Sequence, residues 1–542
     1  MFTFIESSSR KTPDMRSFRP ALLAGFALAL CTVSASAQVV QERVDLSVVQ
    51  RLKDEEMSRS KLDDLALYLT DVIGARLTNS SGSRKANEWA AETFRSWGLA
   101  NVKVEAWDSA FGRGWDLVSY SGRILEPWIK PLAAYPQAWS GSTLDAKGRP
   151  AMVTCPVMIL DIKDSTEVSK YAGKLKGVCV LRSAPPIIGP EFNQEERRFS
   201  LEQLIDGTPS RATLVSTIPG VPYVAPPAGQ QGGGFRGNAV LNGAISRMLR
   251  AEHPAAILAP SRWGYGMFLN GGHSDGRTAR DSVYNPIPEL IVAQEQYSTL
   301  YRVAQRGLPV KVELNLQTRF LDDNRFPTNV TAEIPGTDKA GEVVMLGAHY
   351  DSWHSGTGAT DNGAGSLVMM EAIRLLKTMS LPMRRTVRIA LWTGEEQGLI
   401  GSRTWVRMHQ AELPAISAYV NVDNGTGRLR GIWDQSNSAA IPVLQQILSP
   451  LQDLGVVAVK HGNTGGTDHL SFVAAGVPGF NFIQDPIEYD FRTHHSNLDT
   501  YEHLVIDDLK QAAMVVAWTV YEIANRDEMM PRVAPPAPRP VP

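Results

Sequence analysis

The chain has 542 residues, more than one compact core usually needs, and its 43% hydrophobic and 20% charged residues describe a folded protein with at least two domains. Its 54 Lys and Arg nearly cancel 56 Asp and Glu, so no basic excess exists to neutralise phosphates, and nucleic acid is excluded as a main partner. Three cysteines are too few for a disulfide scaffold or a thiolate cluster, which leaves any metal to His and carboxylate ligands.

At the N-terminus, Arg16 and Arg19 precede an apolar run from Pro20 to Val33, followed by Ser34-Ala35-Ser36-Ala37-Gln38. A positive flank, a short apolar segment and small residues before the break predict a signal peptide over 1–37, with Met15 as an alternative start. The run is too short to span about 30 Å of hydrocarbon, and no other stretch approaches that length. The mature protein is therefore expected to be exported, periplasmic or secreted, with no membrane span. Cleavage removes Cys31 and leaves Cys155 and Cys179, whose pairing sequence alone does not decide.

Leu62, Leu65, Leu69, Val72 and Ile73 follow helical spacing, as do Ala86, Trp89, Ala90 and Trp97, with Gly98 as a stop. Val102-Lys103-Val104 alternates like a strand. From 126 to 320, short apolar strands (157–162, 178–181, 255–258, 290–293) are separated by long stretches rich in Pro and Gly. From 325 to 528, strands at 343–348, 387–392, 418–422 and 479–483 alternate with helices around 366–377 and after Ala439. This alternation predicts an α/β fold with a mostly parallel sheet flanked by helices. The Pro-rich tail 529–542 is expected to be disordered.

Two motifs match by letter only. Gly232-Gly233-Gly234-Phe235-Arg236-Gly237 satisfies the dinucleotide pattern, but Ala225-Pro226-Pro227 and two glutamines stand where a strand is required. Gly272-His273-Ser274-Asp275-Gly276 satisfies the serine-elbow pattern, but a turn precedes it and a charged segment follows.

In open parallel sheets, functional groups gather beyond the carboxyl ends of the strands. The run 343–348 leads into His349-Tyr350-Asp351, 387–392 into Thr393-Gly394-Glu395-Glu396, and 419–422 into Asp423. Asp361 stands at the head of a largely apolar helix, and His494-His495 follows a later strand with Asp499 beyond. A single loop acid is usually just solvated, but three strand ends of one sheet repeating the pattern suggest a metal site. Two nearby divalent ions need a bridging carboxylate and further His or carboxylate ligands. His349, Asp361, Glu396, Asp423 and His495 fit that count. Adjacent carboxylates repel unless something positive stabilises them, as a metal would for Glu396. Glu395 could then take the proton of an attacking water.

These segments together resemble the co-catalytic zinc exopeptidases: Gly347-Ala348-His349-Tyr350-Asp351-Ser352, Asp361-Asn362-Gly363-Ala364-Gly365, Gly394-Glu395-Glu396-Gln397-Gly398, Asn421-Val422-Asp423 and His495-Ser496-Asn497-Leu498-Asp499-Thr500. That family includes aminopeptidase Y, glutamate carboxypeptidase II and plasma glutamate carboxypeptidase, the last nearest through Trp392-Thr393-Gly394-Glu395-Glu396-Gln397 and His494-His495. The resemblance implies two Zn2+ per chain. One is held by His349, Asp361 and Asp423, the other by Asp361, Glu396 and His495, with Asp361 bridging. It also implies Glu395 as the general base and Asp351 as the carboxylate orienting His349.

His494 replaces a tyrosine of several members, and either donates a hydrogen bond to the tetrahedral intermediate or packs. Asp468 either lines the substrate pocket or stabilises a turn. The implied organisation is a catalytic domain in two parts, 38–125 and 321–528, with a β-rich protease-associated-like domain inserted over 126–320. The implied substrate is a peptide or dipeptide cut at a terminal bond, and the nearest member implies a homodimer. Rival readings are a glutaminyl cyclase-like acyl-transfer enzyme with one zinc, which the presence of both His349 and Glu396 argues against, and a receptor-like homologue that has lost its ligands.

Overall fold

Mostly apolar strands are buried on both faces, and 343–348 and 416–422 are buried throughout, as is 387–392 except at Arg388. In the computed structural model they form the middle of an eight-stranded sheet. Its order is Ala100–Ala106, Thr328–Ile334, Arg385–Trp392, Lys339–His349, Ile416–Asn421, Gly479–Gln484, Leu429–Trp433 and Ala458–Lys460. The structure describes residues 42, 44–187, 198–205, 239–281 and 286–533. The signal peptide read over 1–37, the glycine-rich loop at 232–237 and the tail from 534 lie outside the described residues.

The sheet is parallel across its centre and antiparallel near both edges, where Thr328–Ile334 pairs with its two neighbours and Leu429–Trp433 pairs with Gly479–Gln484. The parallel register sets His349 opposite Trp392 and Gly347 opposite Asn421, so three ligand-bearing strand ends lie side by side. Gly347 permits this approach: a Cβ there would lie 2.6 Å from the Ala390 carbonyl and 2.8 Å from the Tyr419 hydroxyl. The helix Ala364–Thr378 is buried over nearly its whole length, and Ile506–Asn525 packs beside it. Trp518 Nε1 donates to the Ile447 carbonyl at 2.7 Å, giving the buried indole a partner.

Glu522 on this last helix is buried. Burial, then the charges of Glu42 and Asp45, push its carboxyl from the ordinary 4.5 up to about 8. Between those values the folded chain holds a proton that the unfolded chain has released. Stability should therefore fall as pH rises through this window, by up to about 1.4 kcal/mol per unit. Glu522→Gln cannot ionise, so thermal melts should place it above the wild type at pH 8 and close to it at pH 5. A gap independent of pH would overturn this.

A second eight-stranded sheet is built from 114–321. A long antiparallel ladder joins Gly114–Glu126 to Lys311–Leu321, and Val153–Ile159, Cys179–Leu181, Ala256–Pro260 and Glu289–Val292 run parallel beside it. Cys155 and Cys179 are bonded with Cα atoms 5.6 Å apart. A cross-link over 24 residues constrains the unfolded chain by an amount on the order of 3 kcal/mol. An aromatic joint connects the two sheets: Trp353 packs edge-on to Trp139, and His354 packs edge-on to Trp115. His354 Nε2 lies 2.8 Å from the Pro136 carbonyl, so this ring faces the second sheet.

Candidate metal centre

His349 ends its strand and is buried. Its Nδ1 lies 3.0 Å from the Asp351 carbonyl oxygen and 3.7 Å from that residue's carboxylate, so the nearer orienting group is the main chain. Nε2 then faces Asp361 Oδ1 and Asp423 Oδ1, each at 3.4 Å. The Asp351 carboxylate also serves the neighbouring strand end. It accepts from the main-chain N–H of Glu395 at 3.2 Å and of Glu396 at 3.4 Å, and from the Thr78 hydroxyl at 2.9 Å.

Asp361 is fixed by main-chain bonds. Asp499 accepts from the N–H of Thr360 at 2.6 Å and of Asp361 at 3.2 Å, while Asn362 Nδ2 donates to the Val422 carbonyl at 2.8 Å, tying this turn to the strand end that presents Asp423. Asp361 Oδ2 lies 3.3 Å from His495 Nε2 and 3.8 Å from His494 Nε2. Glu396 Oε2 lies 2.9 Å from His495 Nε2. Two ligand groups therefore share Asp361: His349, Asp361 and Asp423 in one, and Asp361, His494 and His495 in the other. Glu396 makes the closer contact with His495, and the His494 ring packs at a tilt against those of Tyr489 and His495.

The charge balance also calls for cations. Asp361 Oδ2, Glu396 Oε1 and Asp423 Oδ1 are buried without a hydrogen-bond donor, an arrangement that costs free energy unless a positive charge is supplied. Burial would raise Asp361, yet the hydrogen bond to His349 and the charges of His495 and His494 hold it well below the usual carboxylate range. Burial would lower His495, but Glu396 and Asp361 raise it to about 9. Protons thus stand where metal would displace them. The donor set, imidazole and carboxylate without thiolate, fits a catalytic zinc site.

Glu395 sits in a turn that opens at Gly394, whose φ is +71° and whose Cβ would lie 2.5 Å from Trp107. Its Oε2 is 3.9 Å from His349 Nε2. Burial, opposed by His349 and reinforced by Asp423, Asp468 and Glu396, pushes its carboxyl well up.

A cavity of about 910 Å³ reaches the residues of both ligand groups, Glu395 and Glu396, and extends to Phe199, Trp433 and His461. His461 is held at Nδ1 by the buried Asp434 at 2.7 Å. Sequence reasoning missed all three of these lining residues. None stands at the end of a ligand-bearing strand, and Phe199 is remote from the motifs in sequence. Asp468 is fully buried and is not among the lining residues. Ser274 lies in a loop before a five-residue helix, with its N–H donating to Glu289 at 2.7 Å.

Residues 329–520, which carry every ligand candidate and Glu395, match Peptidase family M28. The match is confined to this segment. Over 292 residues the chain is 32% identical to carboxypeptidase Q of Pongo abelii, covering 54% of this chain and 58% of the relative. It is 28% identical over 260 residues to aminopeptidase YwaD of Bacillus subtilis, covering 45% and 52%. The chain thus spans about half the length of the curated relatives it matches.

The fold is also that of a peptidase M28 precursor from Shewanella amazonensis. There the identity is 24% and the TM-score 0.63, over 90% of this chain and 99% of the other. A zinc aminopeptidase from Bacillus subtilis shares it at 18% identity and TM-score 0.55, over 87% and 97%. The M28 segment and its two candidate metal clusters support a zinc-dependent metallopeptidase. No helix among the described residues is long and apolar enough to cross a membrane.

Proposed function

We propose that the protein is an exported di-zinc exopeptidase that hydrolyses terminal bonds of peptides or splits dipeptides. The carrying observation is the Asp361 carboxylate, set between His349 on one side and His495 on the other. His349, Asp361 and Asp423 would hold one ion, and Asp361, Glu396 and His495 the other. Bound zinc would supply Lewis acidity toward the scissile carbonyl and toward water.

Glu395 borders the cavity beside both groups without belonging to either, with its main chain held by Asp351. It takes the proton of the attacking water and returns it to the leaving amine. Asp351 positions both glutamates through their N–H groups. His494, which lines the cavity, donates to the substrate carbonyl oxygen. The protease-associated-like insert over 126–320, export directed by 1–37 and pairing with a second copy belong to the same reading, supported by the resemblance.

The test combines elemental analysis of the purified protein with a panel of dipeptides and longer peptides, their termini free or blocked. Two zinc ions per chain and cleavage that requires one free terminus are expected. Full activity in metal-free protein, or no hydrolysis by the zinc-loaded protein, would overturn the proposal.

A further inference from the structure

The stretch 198–205 lies outside the M28 segment but is fastened to it. Arg198 Nη1 donates to Asp508 Oδ2 at 2.6 Å and to Asp485 Oδ2 at 3.2 Å, and the Phe199 N–H donates to Asp485 Oδ1 at 2.9 Å. Arg430 Nη1 reaches the same Asp485 carboxylate at 3.1 Å and the Phe199 carbonyl at 3.4 Å, while Lys460 Nζ donates to the Ile205 carbonyl at 2.7 Å. Asp485 is fully buried and directly follows the strand Gly479–Gln484. A buried carboxylate bonded to two guanidiniums and a main-chain N–H leaves the segment little freedom.

The side chains follow this anchoring. Leu204 and Phe199 are buried against Ala458 and Ile483, with Trp433 packed on the cluster. Phe199, Trp433 and Ile483 also border the cavity that holds the metal-ligand groups. The cavity therefore carries the candidate metal ligands at the strand ends and, toward the strands Leu429–Trp433 and Ala458–Lys460, meets an apolar cluster beside the polar His461 and Asn463. A substrate polar throughout would leave this apolar wall uncompensated, whereas a large hydrocarbon side chain would cover it.

We propose that Phe199 is a specificity-determining residue, forming with Trp433 and Ile483 a subsite for a bulky apolar side chain of the substrate. This rests on the peptidase reading. Its new content is that a residue contributed from outside the M28 segment sets the side-chain preference. Losing most of such an apolar contact reduces discrimination by roughly 10–100-fold.

The experiment uses full-length, zinc-loaded protein and pairs of dipeptides that differ only in bearing Leu or Phe in place of Gly. Phe199→Ala should lower kcat/KM about tenfold or more on the bulky members, mainly through KM, and leave the Gly members within about twofold. Phe199→Leu should fall between, and its melting temperature reports whether folding is intact. An equal loss across each pair, or no change in either variant, would overturn the subsite.

Calorimetric binding of reduced-amide dipeptide analogues, bulky against Gly, separates the two proposals. If the wild type cleaves nothing but prefers the bulky analogue, and Phe199→Ala abolishes that preference, only the peptidase reading fails. If cleavage is intact and the preference survives the substitution, only the subsite fails.

Discussion

Replacing Glu395 by Gln should leave two metal ions bound and lower kcat by roughly 10²–10⁴-fold, the span that a positioned general base contributes. The amide keeps the size of the side chain and the main-chain bond to Asp351, but it cannot accept a proton to carry to the leaving group. Metal content should survive because Glu395 belongs to neither ligand group. Folding should survive as well, since the substitution removes one of several acids crowded near Asp423, Asp468 and Glu396. Elemental analysis, a thermal melt and steady-state kinetics on one peptide decide the matter. Loss of metal together with activity would make Glu395 a ligand, and undiminished kcat would remove it from the chemistry.

What could be read from the sequence follows from where local patterns are strong. Largely apolar runs leading into His349, Glu395-Glu396 and Asp423 identified buried parallel strands and their carboxyl ends together. The structure sets those ends side by side. Asp361 was legible because an acid heads a largely apolar helix.

The supports were much less visible. Asp499 was noticed only for its position after His495, and its bonds to the N–H groups of Thr360 and Asp361 depend on a fold that brings residues about 140 apart together. Asp351 was expected to orient His349 through its carboxylate. Its carbonyl lies nearer the ring, at 3.0 Å beside the carboxylate at 3.7 Å, because a residue two positions along the same chain can turn its main chain back on the ring. The ladder of Gly114–Glu126 with Lys311–Leu321 was not read: Ser119, Ser121 and Arg123 alternate with Tyr120 and Ile124 as in a half-exposed strand, but the partner lies nearly 200 residues away. Phe199 carries no local signal, because its place in the cavity is set by Asp485, Arg430 and Asp508.

Asp361→Ala should remove both metals, a stronger outcome than substitution of any other ligand. Asp361 is the only residue common to the two groups, with Oδ1 3.4 Å from His349 and Oδ2 3.3 Å from His495. His349→Ala leaves Asp361, Glu396 and His495 able to hold one ion, and His495→Ala leaves His349, Asp361 and Asp423 able to hold the other. Without Asp361, each group keeps two protein ligands and the two ions lose the shared anion that offsets their repulsion. Under dialysis against a weak chelator, the alanine variant should retain well under one zinc per chain, and its peptidase rate should fall to the uncatalysed background. The two histidine variants should each retain about one. Because metal binding stabilises the folded state by mass action, added zinc should raise the melting temperature of the wild type and of each histidine variant, but not of Asp361→Ala. Two firmly held ions in Asp361→Ala would exclude a bridging role for this carboxylate and assign each ion its own complete ligand set.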